Sequence, residues 1–503
     1  MLRHAIAVAF AVVTVATAAN AANTETRAEQ SQTQARAVLD RAVEANGGAE
    51  ALRAIEVVRL RLEGETFPRL QMTTPTPPFE GGTFEETLLI DLEKNRMRLD
   101  QKAGGFGFEA DNTVTIVDGT GSTYDNRAKT VTPIPAEQAT QQQFIQYHRR
   151  LPNLLLRQAL DRTNSLRYLG EDQFDGRRHD VITFVMPDTQ QIALYVDAAT
   201  GLVSKYELLF VDSLEGVEAS EIIFGDYQKL GNYQVPRRWT NRQLGEDQTR
   251  YTVKAEFNPA VTDESFRVQA AGYATVKPVP TNLEEKVDRL ADGVFVIQNV
   301  AGQNQNTLAV GFSDHVVAVE APGSSDGADA VIKRIHELFP GKPVRYVAMT
   351  HHHGDHIGGM RSFIAEGATV VTTAANKPVI EAMAASQQND RLGKSPRKPE
   401  FLLLENGRRV LKDGSRSLEL IDIGPNPHAK EMVIAWLPGE KIVFQGDLFF
   451  VPNNDAPFGP PQPSTVAFAK KLRELALPAE KIAAVHGNTA TIAQFREATA
   501  SVN

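Results

Sequence analysis

Four of the chain's 11 histidines fall within six residues, in the stretch Thr350-His351-His352-His353-Gly354-Asp355-His356. The apolar run Val344 to Thr350 precedes them and Ile357-Gly358-Gly359 follows. A buried strand leading into a polar, glycine-containing turn places the cluster in a strand-to-helix loop at the carboxyl edge of a sheet, where open α/β sheets hold their ligands. In an extended segment His351 and His353 point the same way, while Asp355 and His356 project after the Gly354 turn. One loop can thus offer ligands to two neighbouring metal positions.

The residues around the cluster fit such a frame. Gly293 to Asn299, Thr307 to Phe312 and Val316 to Glu320 have strand periodicity, Asp326 to Phe339 reads as a helix, and βαβ alternation continues to the end of the chain. Three further metal-ligand types stand at the ends of apolar runs. His428 follows the turn Asp422 to Pro427, Asp447 follows Lys441 to Gln445, and His486 follows Ile482 to Val485. The chain has no cysteine, which excludes disulfides, thiolate ligands, iron–sulfur clusters and a cysteine nucleophile. Any metal must be held by His, Asp or Glu. A formal charge of −9 gives no general attraction to a polyphosphate, so nucleic-acid binding is not expected.

The H-x-H-x-D-H stretch together with His428, Asp447 and His486 resembles the metallo-β-lactamase superfamily over about Asn282 to Ala498. The resemblance implies an αββα fold and a dinuclear centre. One ion would take His351, His353 and His428, the second Asp355, His356 and His486, with Asp447 bridging. Zinc suits such a set, and iron or manganese can occupy it. His353, where the oxygen-reducing di-iron branch carries Glu, implies hydrolysis. Asp447, where two β-lactamase subclasses carry Cys, points toward the thioesterase, lactonase, alkylsulfatase and phosphodiesterase branches. The implied activity is hydrolysis of an ester, thioester, lactone or amide by a metal-bridging hydroxide, with Asp355 orienting that hydroxide. The alternatives are a sulfatase or phosphodiesterase, and a lipid or lipoprotein binding protein whose metal domain is structural. The expected partner is a small molecule, acylated or anionic.

The first half has a different pattern. Met1-Leu2-Arg3-His4, the apolar stretch Ala5 to Ala19 and the small residues Ala19-Asn20-Ala21 have the order of a cleaved secretory signal. The apolar stretch is shorter than the roughly 20 residues that span a bilayer, so export to the periplasm or outside is expected, without stable membrane insertion. Ser31 to Ala45 reads as an amphipathic helix stopped by Asn46-Gly47-Gly48. Strand-like runs follow at Val57 to Glu65, Thr83 to Asp100, Thr113 to Asp118, Lys129 to Ile134, Asp180 to Val185, Ile192 to Val196, Val203 to Val211, Glu221 to Lys229 and Arg250 to Phe257, with one helical interval at Gln141 to Arg162. That order resembles the antiparallel half-barrel of periplasmic lipoprotein carriers, which would imply a concave apolar face. The expectation is an α+β chain: a signal at 1–21, a half-barrel with helices at 28–270, a linker at 271–281 and a hydrolase domain at 282–503.

The remaining candidates have plainer readings. His352 should point away from its neighbours and either support the ligands from behind or serve packing. His315 and His336 are expected at the surface, and His148 and His179 lack a partner set. Arg391, Lys394, Arg397 and Lys398 form a solvated loop or a positive rim for an anionic substrate. Phe449, Phe450 and Phe458 either wall a pocket or pack.

Overall fold

The computed structural model describes residues 25–140, 149–212, 216–278, 283–452 and 456–502. The expected signal, Phe144, Ile145, His148 and part of the expected linker lie outside them. Helix α1, Arg27–Ala45, starts where Thr26 and the Glu29 side chain exchange hydrogen bonds with each other's backbone N–H. That reciprocal cap stabilises the first turn by about 1 kcal/mol. The helix buries Ala35, Val38, Leu39 and Ala42 at helical spacing.

Strands β1 (Val57–Thr66), β2 (Gly82–Asp91), β3 (Arg96–Gly105) and β4 (Phe108–Val117) form an antiparallel meander. Its register lines Leu60, Leu88, Leu99 and Val114 across one face, and Val58, Ile90, Met97 and Ile116 beside them. The period-two pattern therefore turns whole rows of side chains inward. After helix Pro152–Asp161 the chain runs back through a second meander, and its last strand, Glu246–Phe257, pairs with β1 to join both arms in one 14-stranded sheet. Leu39, Leu52, Leu154 and Leu155 from the helices pack on the apolar rows.

The run Thr83 to Asp100, expected as one strand, is a hairpin. Asn95 turns the chain with φ +52°, and the Asp91 carboxylate accepts from Lys94 N at 2.8 Å. A short polar side chain tolerates that left-handed conformation, so no glycine marks the turn.

The second half builds two sheets. One has seven strands, from Lys286–Ala291 to Phe401–Leu403, and the other six, from Arg408–Lys412 to Ala490–Thr491. Val296, Val310, Val319 and Val371 of the first meet Leu420, Ala435, Leu437 and Phe444 of the second in a shared core. Helices Ser325–Leu338 and Met360–Glu366 cover the outer face of the seven-stranded sheet, and Pro463–Leu475 and Ile492–Ala498 that of the other. Among the described residues no helix is long and apolar enough to cross a membrane.

Arg361, 1% exposed, ties the helical layer together. Its guanidinium donates to both Asp390 oxygens, with Nη2 to Oδ1 at 2.8 Å, and to the carbonyls of Met383 (2.8 Å) and Ser386 (3.0 Å). Lysine keeps the charge but cannot reach so many acceptors at once. Arg361→Lys should therefore cost about 2 kcal/mol, seen as a lower unfolding midpoint; an unchanged midpoint would contradict this role. Burial would raise the Asp390 carboxyl, but Arg361, Gly393 N–H and Ser325 hold it down at about 2, below the ordinary 3.8. The pair's stabilisation is thus full above pH 3.8 and is lost as pH falls through about 2.

Candidate metal centre

Strand Val344–Ala348 ends three residues before His351, and the helix Gly354–Ile357 starts immediately after His353. The intervening backbone sets His351 and His353 side by side, ring centroids 4.3 Å apart, and the helical turn brings His356 to 4.0 Å from His351. His428 follows strand Ser417–Asp422, Asp447 follows Ile442–Gln445 and His486 follows Lys481–Ala484. All seven residues thus stand at or beyond the carboxyl ends of strands from both sheets. Gly446 permits the approach, since a Cβ there would lie 2.5 Å from Thr350 Oγ1 and 3.1 Å from His351 Nδ1.

The seven side chains converge in two groups, His351, His353, His428 and Asp447, and Asp355, His356, Asp447 and His486, with donor atoms within 4.8 Å of one another in each. Asp447 belongs to both. Its Oδ2 lies 3.5 Å from His428 Nε2, while Oδ1 lies 3.3 Å from His356 Nε2 and 3.6 Å from His486 Nε2. His351 Nε2 and His428 Nε2 face each other at 3.0 Å.

Each imidazole has its outer nitrogen against an oxygen. His351 Nδ1 lies 3.0 Å from Thr350 Oγ1, and His353 Nε2 donates to Met72 O at 2.9 Å. His356 Nδ1 donates to Glu320 Oε2 (2.7 Å), His428 Nδ1 to Phe106 O (2.8 Å) and His486 Nδ1 to Asn304 O (2.7 Å). For His353 and His428, whose partners are carbonyls, the bond places the ring proton outside and leaves the inner nitrogen as a lone pair, the arrangement in which a histidine ligates metal. The inward atoms His353 Nδ1, His356 Nε2 and Asp447 Oδ1 are buried without a hydrogen-bond partner. Buried polar atoms rarely stay so, and a set made only of imidazoles and carboxylates fits a borderline metal ion.

The charges divide the same way. Burial pushes His351 and His353 well below the ordinary 6.5, and the neighbouring rings push in the same direction. Burial also lowers His428, outweighing the attraction of Asp447. For His356 burial opposes the charge, but Asp447, Asp355 and Glu320 hold it well above 6.5. His486 is raised against the same opposition by its bond to Asp355. Burial would raise Asp447, yet His356 keeps it ionised at about 2. Asp355 is held far down by His356, His486 and Gln71 against the same penalty.

His352 belongs to neither group and is buried against the backbone of Met72 and Thr74, its ring 5.0 Å from that of His353. His315, expected at the surface, is buried, stacked on Phe312 at 4.8 Å and bonded to Asp314. His336 is exposed and bonded to Glu366, and His179 is buried against Ser204. Arg391 is taken up by Asp329 and Glu366 on the helical layer. Of the phenylalanines, Phe450 faces the centre, 6.0 Å from the His486 ring, whereas Phe449 packs on Phe495 and Phe458.

Two side chains at the centre carry no spacing signal in the sequence. Glu320, 1% exposed, accepts from Thr350 N as well as from His356. Gln71, from the connection between β1 and β2, donates Nε2 to Asp355 Oδ1 at 2.7 Å across 284 positions.

No curated protein matches the chain. The metallo-beta-lactamase from Pontibacter korlensis is 18% identical with a TM-score of 0.34, and the likeness covers 44% of this chain and 98% of that one. The FIM-1 metallo-beta-lactamase from Pseudomonas aeruginosa, in its mono-zinc form, is 19% identical with a TM-score of 0.33, covering 44% of this chain and 96% of that one. The sequence pattern of the metallo-beta-lactamase superfamily matches residues 322–486, the span that carries all seven converging side chains. The C-terminal domain belongs to the metallo-beta-lactamase superfamily.

Proposed function

We propose that this chain is an exported, zinc-dependent hydrolase of an ester, thioester, lactone or amide. His351, His353 and His428 would hold one ion and Asp355, His356 and His486 the other, with Asp447 shared. In this reading residues 282–503 are an αββα hydrolase domain, 28–270 an antiparallel half-barrel and 271–281 their linker. Loss of residues 1–21 leaves the protein periplasmic or secreted. The observation that carries the proposal is the set of five imidazoles, each held at its outer nitrogen by an oxygen, around a carboxylate that reaches both groups.

When bound, two such ions supply positive charge to a carbonyl oxygen and acidify a water. The protein's own residues do the rest. The side chains of His351, His353 and His428 are buried, whereas Asp355 (33% exposed) and His486 (22%) keep access, so substrate enters on their side. Asp355 has Oδ1 fixed by Gln71 and, kept ionised, offers Oδ2 as acceptor for a proton from water. Phe450 beside His486 gives an apolar surface for an acyl group.

Stripping the protein with a chelator should abolish hydrolysis across a panel of esters, thioesters, lactones and amides, and two equivalents of zinc should restore it. Turnover that survives complete metal removal would defeat the proposal.

A further inference from the structure

The loops of the 14-stranded sheet reach into the metal centre. The β1–β2 connection and the two-residue link Phe106-Gly107 between β3 and β4 lie at the same end of their strands, since Thr66 pairs with Gly82 and Gly105 with Phe108. Backbone bonds seat the first on the loops that carry the ligands and the second on the start of helix Pro463–Leu475. Gly354 N donates to Leu70 O (2.9 Å), Lys430 N to Thr73 O (2.8 Å) and Ser464 N to Gly107 O (3.0 Å). The Phe108 ring packs edge-on against His428, centroids 5.1 Å apart.

We infer that Met72 and Phe106 are positioning residues of the metal centre. Their carbonyls fix which ring nitrogen of His353 and His428 faces inward, so the His351, His353, His428 and Asp447 group holds its ion tightly only when both loops are seated. The inference rests on the function proposed above. A neutral imidazole carries one N–H, and a carbonyl bonded to one nitrogen settles the proton there. For His353 the outer atom is Nε2, which leaves Nδ1 inside; for His428 it is Nδ1, which leaves Nε2. His351, His356 and His486 find their partners at Thr350, Glu320 and Asn304, all in the C-terminal half. Two of the five ligating rings therefore depend on the N-terminal half, and both belong to the same group. The first sheet is then a working part of the metal site.

Gly107 makes the seating testable. It has φ +78°, and a Cβ there would lie 2.9 Å from both His428 N and Ser464 Cβ. Gly119 has φ +74° with nothing within 4 Å, so Gly119→Ala carries the same backbone strain without a collision. A second route is Gln248→Ala, which removes the side-chain acceptor for Arg69 N at the start of the β1–β2 connection and touches no ligand.

The experiment measures zinc affinity of the full chain by competition with a chromophoric chelator, the absorption spectrum after cobalt loading, and metal-free thermal unfolding. Gly107→Ala should weaken the tighter or weaker of the two zinc steps about 10- to 100-fold, leave the other step near wild type and alter the cobalt bands. Gln248→Ala should shift the same step in the same direction, and Gly119→Ala should match wild type in both metal readouts. Folded Gly107→Ala and Gln248→Ala proteins with wild-type zinc affinity and cobalt spectra would overturn the inference while leaving the hydrolase reading intact. A wild-type chain that takes up no zinc would overturn both.

Discussion

On the proposed dinuclear zinc hydrolase, replacing Asp447 by Asn should reduce zinc content below two ions per chain and lower kcat/KM by about 10³-fold, or about 4 kcal/mol of lost transition-state stabilisation. The size follows from its place. Asp447 is the one side chain common to both groups of possible ligands, with one oxygen toward His428 and the other toward His356 and His486. Asparagine keeps the shape but removes the charge, and one of its two inward atoms becomes an N–H that cannot ligate. The carboxylate also offsets the charge of His356 in the metal-free protein, so its loss should make that ring easier to deprotonate. Metal analysis, steady-state kinetics and circular dichroism together make the check. A folded Asp447→Asn protein with two zinc ions and full turnover would show that the two groups do not act as one centre.

The convergence of the seven side chains was legible in the sequence because each is a chemically distinctive residue at the end of an apolar run. Backbone geometry does the rest, since alternation along an extended segment brings the His351 and His353 rings to 4.3 Å, against 6.4 Å for the adjacent His351 and His352. What stayed hidden has no side-chain signature or no local partner. The acceptors at Met72 and Phe106 are carbonyls, which every residue has. Gln71 meets Asp355 only because the first sheet docks on the second half of the chain. Strands such as Arg167–Phe174 escaped because most of their side chains are exposed or half-buried and no apolar row marks them. His315 was misplaced because its stacking on Phe312 comes from the turn between two strands, not from periodicity.

Glu320 carries the second large effect. It is the first residue after strand Val316–Val319 and sits buried at φ +80°, a conformation that costs a side-chain-bearing residue about 1–2 kcal/mol. The strain is offset because Oε1 accepts from Thr350 N at 2.6 Å and Oε2 from His356 Nδ1 at 2.7 Å, tying the start of the ligand loop to its last histidine. Glu320→Ala would leave both donors buried without an acceptor while keeping the strained φ, and should destabilise the metal-free protein by about 3–5 kcal/mol. Zinc at the Asp355, His356 and His486 group should weaken about 10- to 100-fold at the same time. Glu320→Gly removes the same carboxylate but relaxes the backbone, so it should be more stable than Glu320→Ala by about 1 kcal/mol and equally poor at holding zinc. Denaturant unfolding and zinc titration on the two variants separate the effects. If glycine restored zinc affinity along with stability, the backbone rather than the carboxylate would be what holds His356 in place.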